Sequence, residues 1–304
     1  MNPKARSLGM LTGGILLSGV LIAGLLTASW IVLGSPSPAG ATWMQVTRVG
    51  AEYTGAPTEP FYFLALGNDG RSDADKGLGD AIHVIGINPA LGEGTMLNVP
   101  RDTQAPGGDK INASHSLEGL PGIVRELNEM MGIQINYAIT TNFGGFIEMV
   151  DAIGGTNISV PMPLSDPDGS GANFPDPGTF LVRGQQALEF SRDRHDFTAG
   201  DIDRTYNQGT IILSTLAKLQ TGPTGAAETM RLVSILVRHI RMENVGITEL
   251  FRLGQLALTL DPAKIKNITI PVGGGSATNT NLQITSDGPA LFADFADDAV
   301  VQSR

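Results

Sequence analysis

Residues 61–99 read FYFLALGNDGRSDADKGLGDAIHVIGINPALGEGTMLNV, and the punctuation of that stretch decides the fold class. FYFLAL (61–66), AIHVIGIN (81–88) and TMLNV (95–99) are short β-branched or aromatic-rich runs bounded by Gly, Pro and Asn. Each predicts a strand. Working outward, apolar positions at helical spacing predict helices over 118–131 and 143–153, the second with Asn142 as cap and Gly154-Gly155 as stop. Between them 136–141 predicts another strand. Farther on, helices are predicted over 203–220, 224–240 and 248–260, extended segments over 265–271 and 282–285, and a last helix over 290–300 behind Ser286, Asp287 and Pro289. This interleaving predicts one α/β domain with helices on both faces of a sheet, and no second domain boundary after residue 45.

Ahead of that domain, Ser7 to Leu33 is 27 residues without a charge. About 20 apolar residues span a bilayer as a helix, so 7–33 reads as a transmembrane anchor. Lys4 and Arg6 precede it, which keeps residues 1–6 cytoplasmic and sends the rest outward. A cleaved signal peptide is the competing reading, because Ala39-Gly40-Ala41 resembles a cleavage site, but signal h-regions run only about 7 to 15 residues. GSPSPAG (34–40) opens a tether over 34–45, and 46–304 is the extracytoplasmic domain. The expected location is therefore the cell membrane, single-pass. With 20 Lys+Arg against 30 Asp+Glu, the net charge of −10 argues against nucleic acid as a partner. Cysteine is absent, which excludes disulfides, zinc ribbons and a thiol nucleophile.

The chemistry is narrowed by what is missing. No G-x-S-x-G, Walker GK[ST], G-x-G-x-x-G or H-E-x-x-H occurs, and His83, His115, His195 and His239 lack metal-ligand spacing and read as structural or exposed. Ser191, His195 and Asp196 lie too close in sequence to be positioned as a relay. Carboxylates and arginines remain, placed next to predicted strands, where α/β folds hold their ligands. Asp69 follows the first strand in GNDGR and Asp80 precedes the second in GLGDAIHVIGIN. Two carboxylates flanking a strand turn could share a magnesium ion, or could serve only as turn and cap residues. Arg101 follows the third strand, and Lys110 follows a Gly-rich loop. Arg192, Arg194 and Arg204 cluster within thirteen positions; guanidiniums match phosphate oxygens, while a salt-bridge network with Asp193, Asp196, Asp201 and Asp203 accounts for the same pattern. Together with an exported domain tethered at a bilayer, the set fits phosphoryl transfer on a lipid-linked diphosphate.

The run from about Phe61 to Leu219 resembles the LytR-CpsA-Psr family of bacterial cell-wall ligases. Its stations are GNDGR (67–71), GDAIHVIGINP (79–89), LNVPRDT (97–103), KINAS (110–114), NFGGFIEMVDAIGG (142–155), VPMPLSDP (160–167), LVRGQQALEFSRDRH (181–195) and GDIDRTYNQ (200–208). The resemblance implies an α/β fold, a central mixed sheet flanked by helices, behind one N-terminal transmembrane helix, with a long apolar pocket for a polyprenyl chain. It implies a phosphotransferase that attaches a glycopolymer from a polyprenyl-diphosphate carrier to peptidoglycan. Carried over by motif, Asp69 and Asp80 match the magnesium carboxylates and, with Arg101, the catalytic set. Arg101, Lys110, Arg192, Arg194, Arg204 and Gln208 match the residues that grip the diphosphate. Two positions depart from the pattern: Leu78 stands where the family usually has arginine, and Asn207 where the later station commonly has a second arginine. They motivate an alternative, a non-catalytic polyprenyl-phosphate or glycan-binding regulator of envelope assembly; a pyrophosphatase using water is a third reading.

Overall fold

The computed structural model describes residues 42, 44–55, 59–69, 77–221, 239–274 and 280–302. In chain order, strands β1 (Met44–Arg48), β2 (Phe61–Asn68), β3 (Gly79–Asn88), β4 (Glu93–Asn98) and β5 (Ile135–Asn142) come first. Two small antiparallel pairs follow, β6 (Thr156–Val160) with β9 (Gly178–Val182) and β7 (Leu164–Ser165) with β8 (Asn173–Phe174), and then β10 (Ile240–Glu243) and β11 (Ile265–Thr269). The helices are α1 (Ile111–Glu118), α2 (Leu120–Met131), α3 (Phe143–Ala152), α4 (Gly184–Arg192), α5 (Asp201–Thr221), α6 (Ile247–Thr259) and α7 (Gly288–Asp298).

Seven strands form one sheet in the order β10-β1-β5-β2-β3-β4-β11. The pairs β1/β10, β2/β5 and β4/β11 are parallel and the other three antiparallel, so the sheet is mixed, as expected. Period-two alternation assigns its faces. On β2, Tyr62, Leu64 and Leu66 pack with Ile123 and Leu127 of α2 and Phe295 of α7. Phe61 and Phe63 face the other way, in a core completed by Ile212, Leu213 and Leu216 of α5 and Leu253 of α6. A third cluster, including Val150, Phe174, Val182 and Phe190, joins the small strand pairs to α3 and α4.

Two glycines set how closely helices approach the sheet. A Cβ on Gly86 would lie 2.7 Å from the Phe295 ring, and one on Gly209 would lie 2.4 Å from Asn267 Oδ1 and 2.6 Å from Asn98 Oδ1. The second contact marks a buried polar chain. Asn98 Nδ2 donates to Asn267 Oδ1 at 2.6 Å, Asn267 Nδ2 donates to Thr210 Oγ1 at 3.1 Å, and His83 Nδ1 lies 2.7 Å from Asn98 Oδ1. Burial lowers the His83 pKa to about 4 against the hydrogen bond to Asn98, so the ring is neutral and structural at pH 7. The chain fixes α5 across β3, β4 and β11.

Several sequence expectations change in detail. Gly119, with φ of 74°, ends α1 at Glu118, so the expected 118–131 helix starts at Leu120 as α2, and α1 ahead of it is an element the sequence did not announce. The stretch 240–243 is the parallel edge strand β10, and β1 begins at Met44, inside the stretch read as tether. The Asn142 cap is formed, its Oδ1 accepting from Gly145 N at 2.8 Å. The expected anchor over 7–33 and nearly all of the helix over 224–240 lie outside the described residues; among those, no helix is long and apolar enough to cross a membrane.

At the other end of the sheet, Glu249 of α6 is 4 % exposed. It accepts from Tyr137 Oη at 2.7 Å and from Gly246 N at 3.1 Å, and Arg48 Nη1 lies 3.4 Å away. Removing one partner leaves a buried carboxylate underserved. Tyr137→Phe is therefore expected to destabilise by about 1–3 kcal/mol, a fall of roughly 3–10 °C in Tm by thermal denaturation.

Candidate functional site

The C-terminal ends of β2, β4 and β5 and the start of β3 meet at one end of the sheet. There the β2/β3 register shifts: Gly67 pairs with Ala81, but Asn68 pairs with Gly79. Asp80 is thus the extra residue of a β-bulge, which breaks the alternation and re-aims its side chain. Without the bulge, every residue beyond it would project to the opposite face.

Arg101, in the turn after β4, answers that carboxylate. Its Nη1 donates to Asp80 Oδ1 at 2.7 Å, and its Nε lies 3.7 Å from Asp201 Oδ1. Asp201 begins α5, where Arg204 sits one turn on and Gln208 another turn beyond, on the same helical face. Arg204 Nη2 lies 2.6 Å from Asp201 Oδ1 and 3.4 Å from the Asp80 carbonyl oxygen. Gln208 Nε2 donates to the Ser191 carbonyl at 2.9 Å, tying the end of α4 to α5.

These groups form one electrostatic unit. Burial is the strongest single influence on Arg101 and acts to lower its pKa, but the hydrogen bond and charge of Asp80, with the charges of Asp201 and Asp102, together hold it above its ordinary value. For Arg204, burial and the like charges of Arg101 and Arg194 prevail over Asp201 and Asp80, so its pKa is lowered. Arg194 is therefore near enough to be felt, although its side chain is exposed. Arg101 Nε, Arg204 Nε and Asn207 Nδ2 are buried and donate no directed hydrogen bond among the described residues, and Gln208 Oε1 and both carboxylate oxygens of Asp201, also buried, accept none. Polar atoms left this way are costly unless a ligand or water meets them.

The remaining expected residues lie around this unit. Asp69 follows β2 directly, and its Oδ1 accepts from Leu78 N at 2.7 Å. Arg192 places its guanidinium carbon 5.2 Å from the centre of the Phe143 ring, just beyond the β5 end that pairs with β2. Lys110 precedes α1 and pairs with Asp102 at 2.8 Å. The structure brings Asp80, Arg101, Arg204 and Gln208 together, with Arg194 at their edge; Lys110 and Arg192 stand on their own partners. Asp201 and Phe143 are the residues that sequence reasoning did not place in the site. Asp201 was visible only as one of four interleaved acids, with nothing in the sequence to single it out.

Asp69 and Asp80 offer the carboxylate oxygens that a hard divalent ion takes. Each commits Oδ1 to a protein donor, and the second oxygen makes no hydrogen bond or ion pair among the described residues. Magnesium takes one or two carboxylates and fills its shell with water and phosphate oxygens, so a cage of three acids, which the described residues do not form, is not needed. Beside Asn68, His115 and Asn142 opens a cavity of about 1000 Å³ whose walls mix Leu120 and Val124 with Gln45, Arg48 and Glu129. Its lining is mixed, polar and apolar. Ser191, His195 and Asp196 form no relay: Ser191 Oγ donates to Leu188 O at 2.7 Å and His195 Nδ1 lies 3.0 Å from Asp166.

The sequence profile of the LytR_cpsA_psr family matches residues 41–292. The chain belongs to that family. It is 32 % identical over 166 residues to the polyisoprenyl-teichoic acid–peptidoglycan teichoic acid transferase TagU of Bacillus cereus, covering 53 % of each chain. It is 30 % identical over 159 residues to the TagU transferase of Halalkalibacterium halodurans, covering 51 % of each. The chain thus spans about half the length of these transferases. Among solved structures, B. subtilis TagV superposes with a TM-score of 0.67 at 22 % identity, over 81 % of this chain and 99 % of that one. The LytR-Csp2A-Psr enzyme from Actinomyces oris does so at 0.65 and 21 %, over 82 % and 95 %. TagT bound to LIIa-WTA gives 0.63 and 18 %, over 82 % and 97 %. These likenesses show a shared LytR_cpsA_psr fold.

Asp193, between Arg192 and Arg194, is fully buried with Oδ2 unpartnered, and its pKa is raised to about 6, first by burial and then by the charges of Asp196 and Asp166 against one hydrogen bond from Asp196 N. An acid with a raised folded-state pKa stabilises the fold below its unfolded value, and that contribution is lost as pH rises through the folded value. Asp193→Asn should therefore match the wild type near pH 4 and exceed its stability by about 1–3 kcal/mol above pH 6, measured by denaturation across that range.

Proposed function

We propose that this chain is a cell-wall glycopolymer ligase: a phosphotransferase that moves a phosphate-linked glycopolymer from a polyprenyl-diphosphate carrier to peptidoglycan. The observation that carries the reading is the largely sequestered set Asp80, Arg101, Asp201 and Arg204, whose buried Nε donors make no hydrogen bond among the described residues. Guanidinium donors fixed in a low-dielectric site match the oxygens of a diphosphate and stabilise charge as it moves from the attacking hydroxyl to the leaving phosphate. The new bond joins the acceptor hydroxyl oxygen to phosphorus as its proton passes to a carboxylate of the site, and the P–O bond broken releases polyprenyl phosphate. Arg194, exposed at the edge, and Arg192 on Phe143 extend the cationic surface toward the sugar end. Lys110 neutralises Asp102 beside Arg101.

Charge balance supports a divalent ion here. Two arginines already face two aspartates, so an incoming diphosphate, carrying about two negative charges, raises the net negative charge unless a cation enters with it. Asp69 and Asp80 would hold magnesium, which supplies Lewis-acid polarisation of the phosphoryl oxygens. In this reading residues 1–6 are cytoplasmic, 7–33 anchor the protein in the cell membrane, a tether runs from 34 to the first strand, and the domain beyond works outside the membrane. Leu78 offers the site only its backbone N–H, and the buried amide of Asn207 brings no charge. These two positions are what a non-catalytic carrier-binding role would rest on.

The test incubates full-length protein with a short lipid-linked diphosphate donor and peptidoglycan oligomers, with magnesium or chelator, followed by mass spectrometry. The wild type should form a magnesium-dependent conjugate, and Arg101→Ala should reduce it at least about 100-fold with little change in Tm. Undiminished transfer in both Arg101→Ala and Arg194→Ala would sink the proposal. Donor binding without conjugate or lipid-phosphate release would favour the carrier-binding role.

A further inference from the structure

We propose that Asp201 is a positioning residue of this site, a carboxylate that fixes the two guanidiniums of Arg101 and Arg204 in the orientation the diphosphate meets; the inference rests on the ligase reading. Asp201 Oδ1 stands 2.6 Å from Arg204 Nη2 and 3.7 Å from Arg101 Nε. Among the described residues its ionic contacts run to arginines alone, so it acts through them. The two arginines arrive on unrelated elements, one on the turn after β4 and one on α5. Asp80 ties each to β3, by side chain to Arg101 and by backbone to Arg204, but Asp201 is the only carboxylate among the described residues paired with both.

Physical necessity supports the role. Arg204 is 6 % exposed and feels Arg101 and Arg194 as like charges. Without an anion between them, the buried guanidinium of Arg204 and the half-buried one of Arg101 repel and their long side chains regain rotamer freedom. The carboxylate that prevents this must be rigid, and Asp201 is: its backbone lies in the first turn of α5, where the helix dipole favours a negative charge, and its carbonyl accepts from Thr205 Oγ1 at 2.7 Å. Its contacts with the arginines are close but poorly directed, since neither carboxylate oxygen receives a hydrogen bond of good geometry. That geometry holds the cations by charge while leaving their Nε–H groups unspent.

The test measures kcat, donor KM and melting temperature of full-length Asp201→Asn and Asp201→Glu. Asp201→Asn keeps the shape and removes the charge, so kcat should fall at least about tenfold while donor KM stays within about threefold and Tm changes little. Asp201→Glu should regain part of the turnover. Arg204→Lys keeps the charge but loses the planar fork, and it should cost less in the Asp201→Asn background than in the wild type because both changes disable one unit. Wild-type kcat in Asp201→Asn, a loss of kcat that merely tracks a fall in Tm, or strictly additive losses would overturn the inference. A wild type with no transfer counts instead against the ligase reading. The positioning role is then decided by the Nε–Hε NMR signals of Arg101 and Arg204, which should lose protection from solvent exchange in Asp201→Asn; unchanged protection overturns it.

Discussion

The ion pair between Asp80 and Arg101 is possible only because β3 carries one residue more than β2 at its first turn. A regular ladder would place neighbouring side chains on alternate faces, and the register that buries Ile82 and Val84 under α2 and α7 leaves no freedom to shift it. The bulge separates the two demands. Core residues keep their face, and the carboxylate turns to meet a loop from β4 and a helix from 100 residues farther along the chain. Everything else in the site is arranged to hold that meeting: the Asn98–Asn267 chain that seats α5, the absent side chain at Gly209, and the Gln208 bond to Ser191 that draws the end of α4, with Arg192 and then Arg194, to the same end.

The chemistry of the site follows from its charge arithmetic. A fully cationic cluster would bind phosphate without help but would be hard to bury in the resting protein. The arrangement seen here is nearly neutral at its centre, with donors unspent and the excess positive charge at the exposed rim. Such a centre folds at low electrostatic cost, and under the proposed function it would take a diphosphate together with a metal ion. The acidic net charge of the chain does not oppose this, because the field that matters is set locally by Arg101, Arg194 and Arg204.

Much of this was legible in the sequence, for identifiable reasons. Strands β2, β3 and β5 and helix α5 have strong periodicity and clear Gly, Asn and Asp punctuation, and their ranges came out nearly right. Strands β1 and β10 are short and partly polar, and their pairing spans nearly 200 residues, so no local pattern announces them. Helix α1 was hidden because KINASHSLE has a weak apolar stripe, and α4 because in nine residues only Ala187, Leu188 and Phe190 mark its apolar face. In the site, the stations gave Asp80, Arg101, Arg204 and Gln208, which the fold does bring together. They could not give Asp201's position between two arginines, since that depends on the crossing of α5 over the bulge, a tertiary fact.

The most direct measurement of this account is calorimetric binding of inorganic pyrophosphate to the full-length protein with magnesium and with chelator, repeated for Asp80→Asn. A nearly neutral centre completed by a metal on Asp69 and Asp80 predicts binding at least about tenfold tighter with magnesium, a gain of about 1.4 kcal/mol or more that Asp80→Asn removes. Equal affinity in magnesium and in chelator, or a magnesium gain that survives in Asp80→Asn, would contradict it.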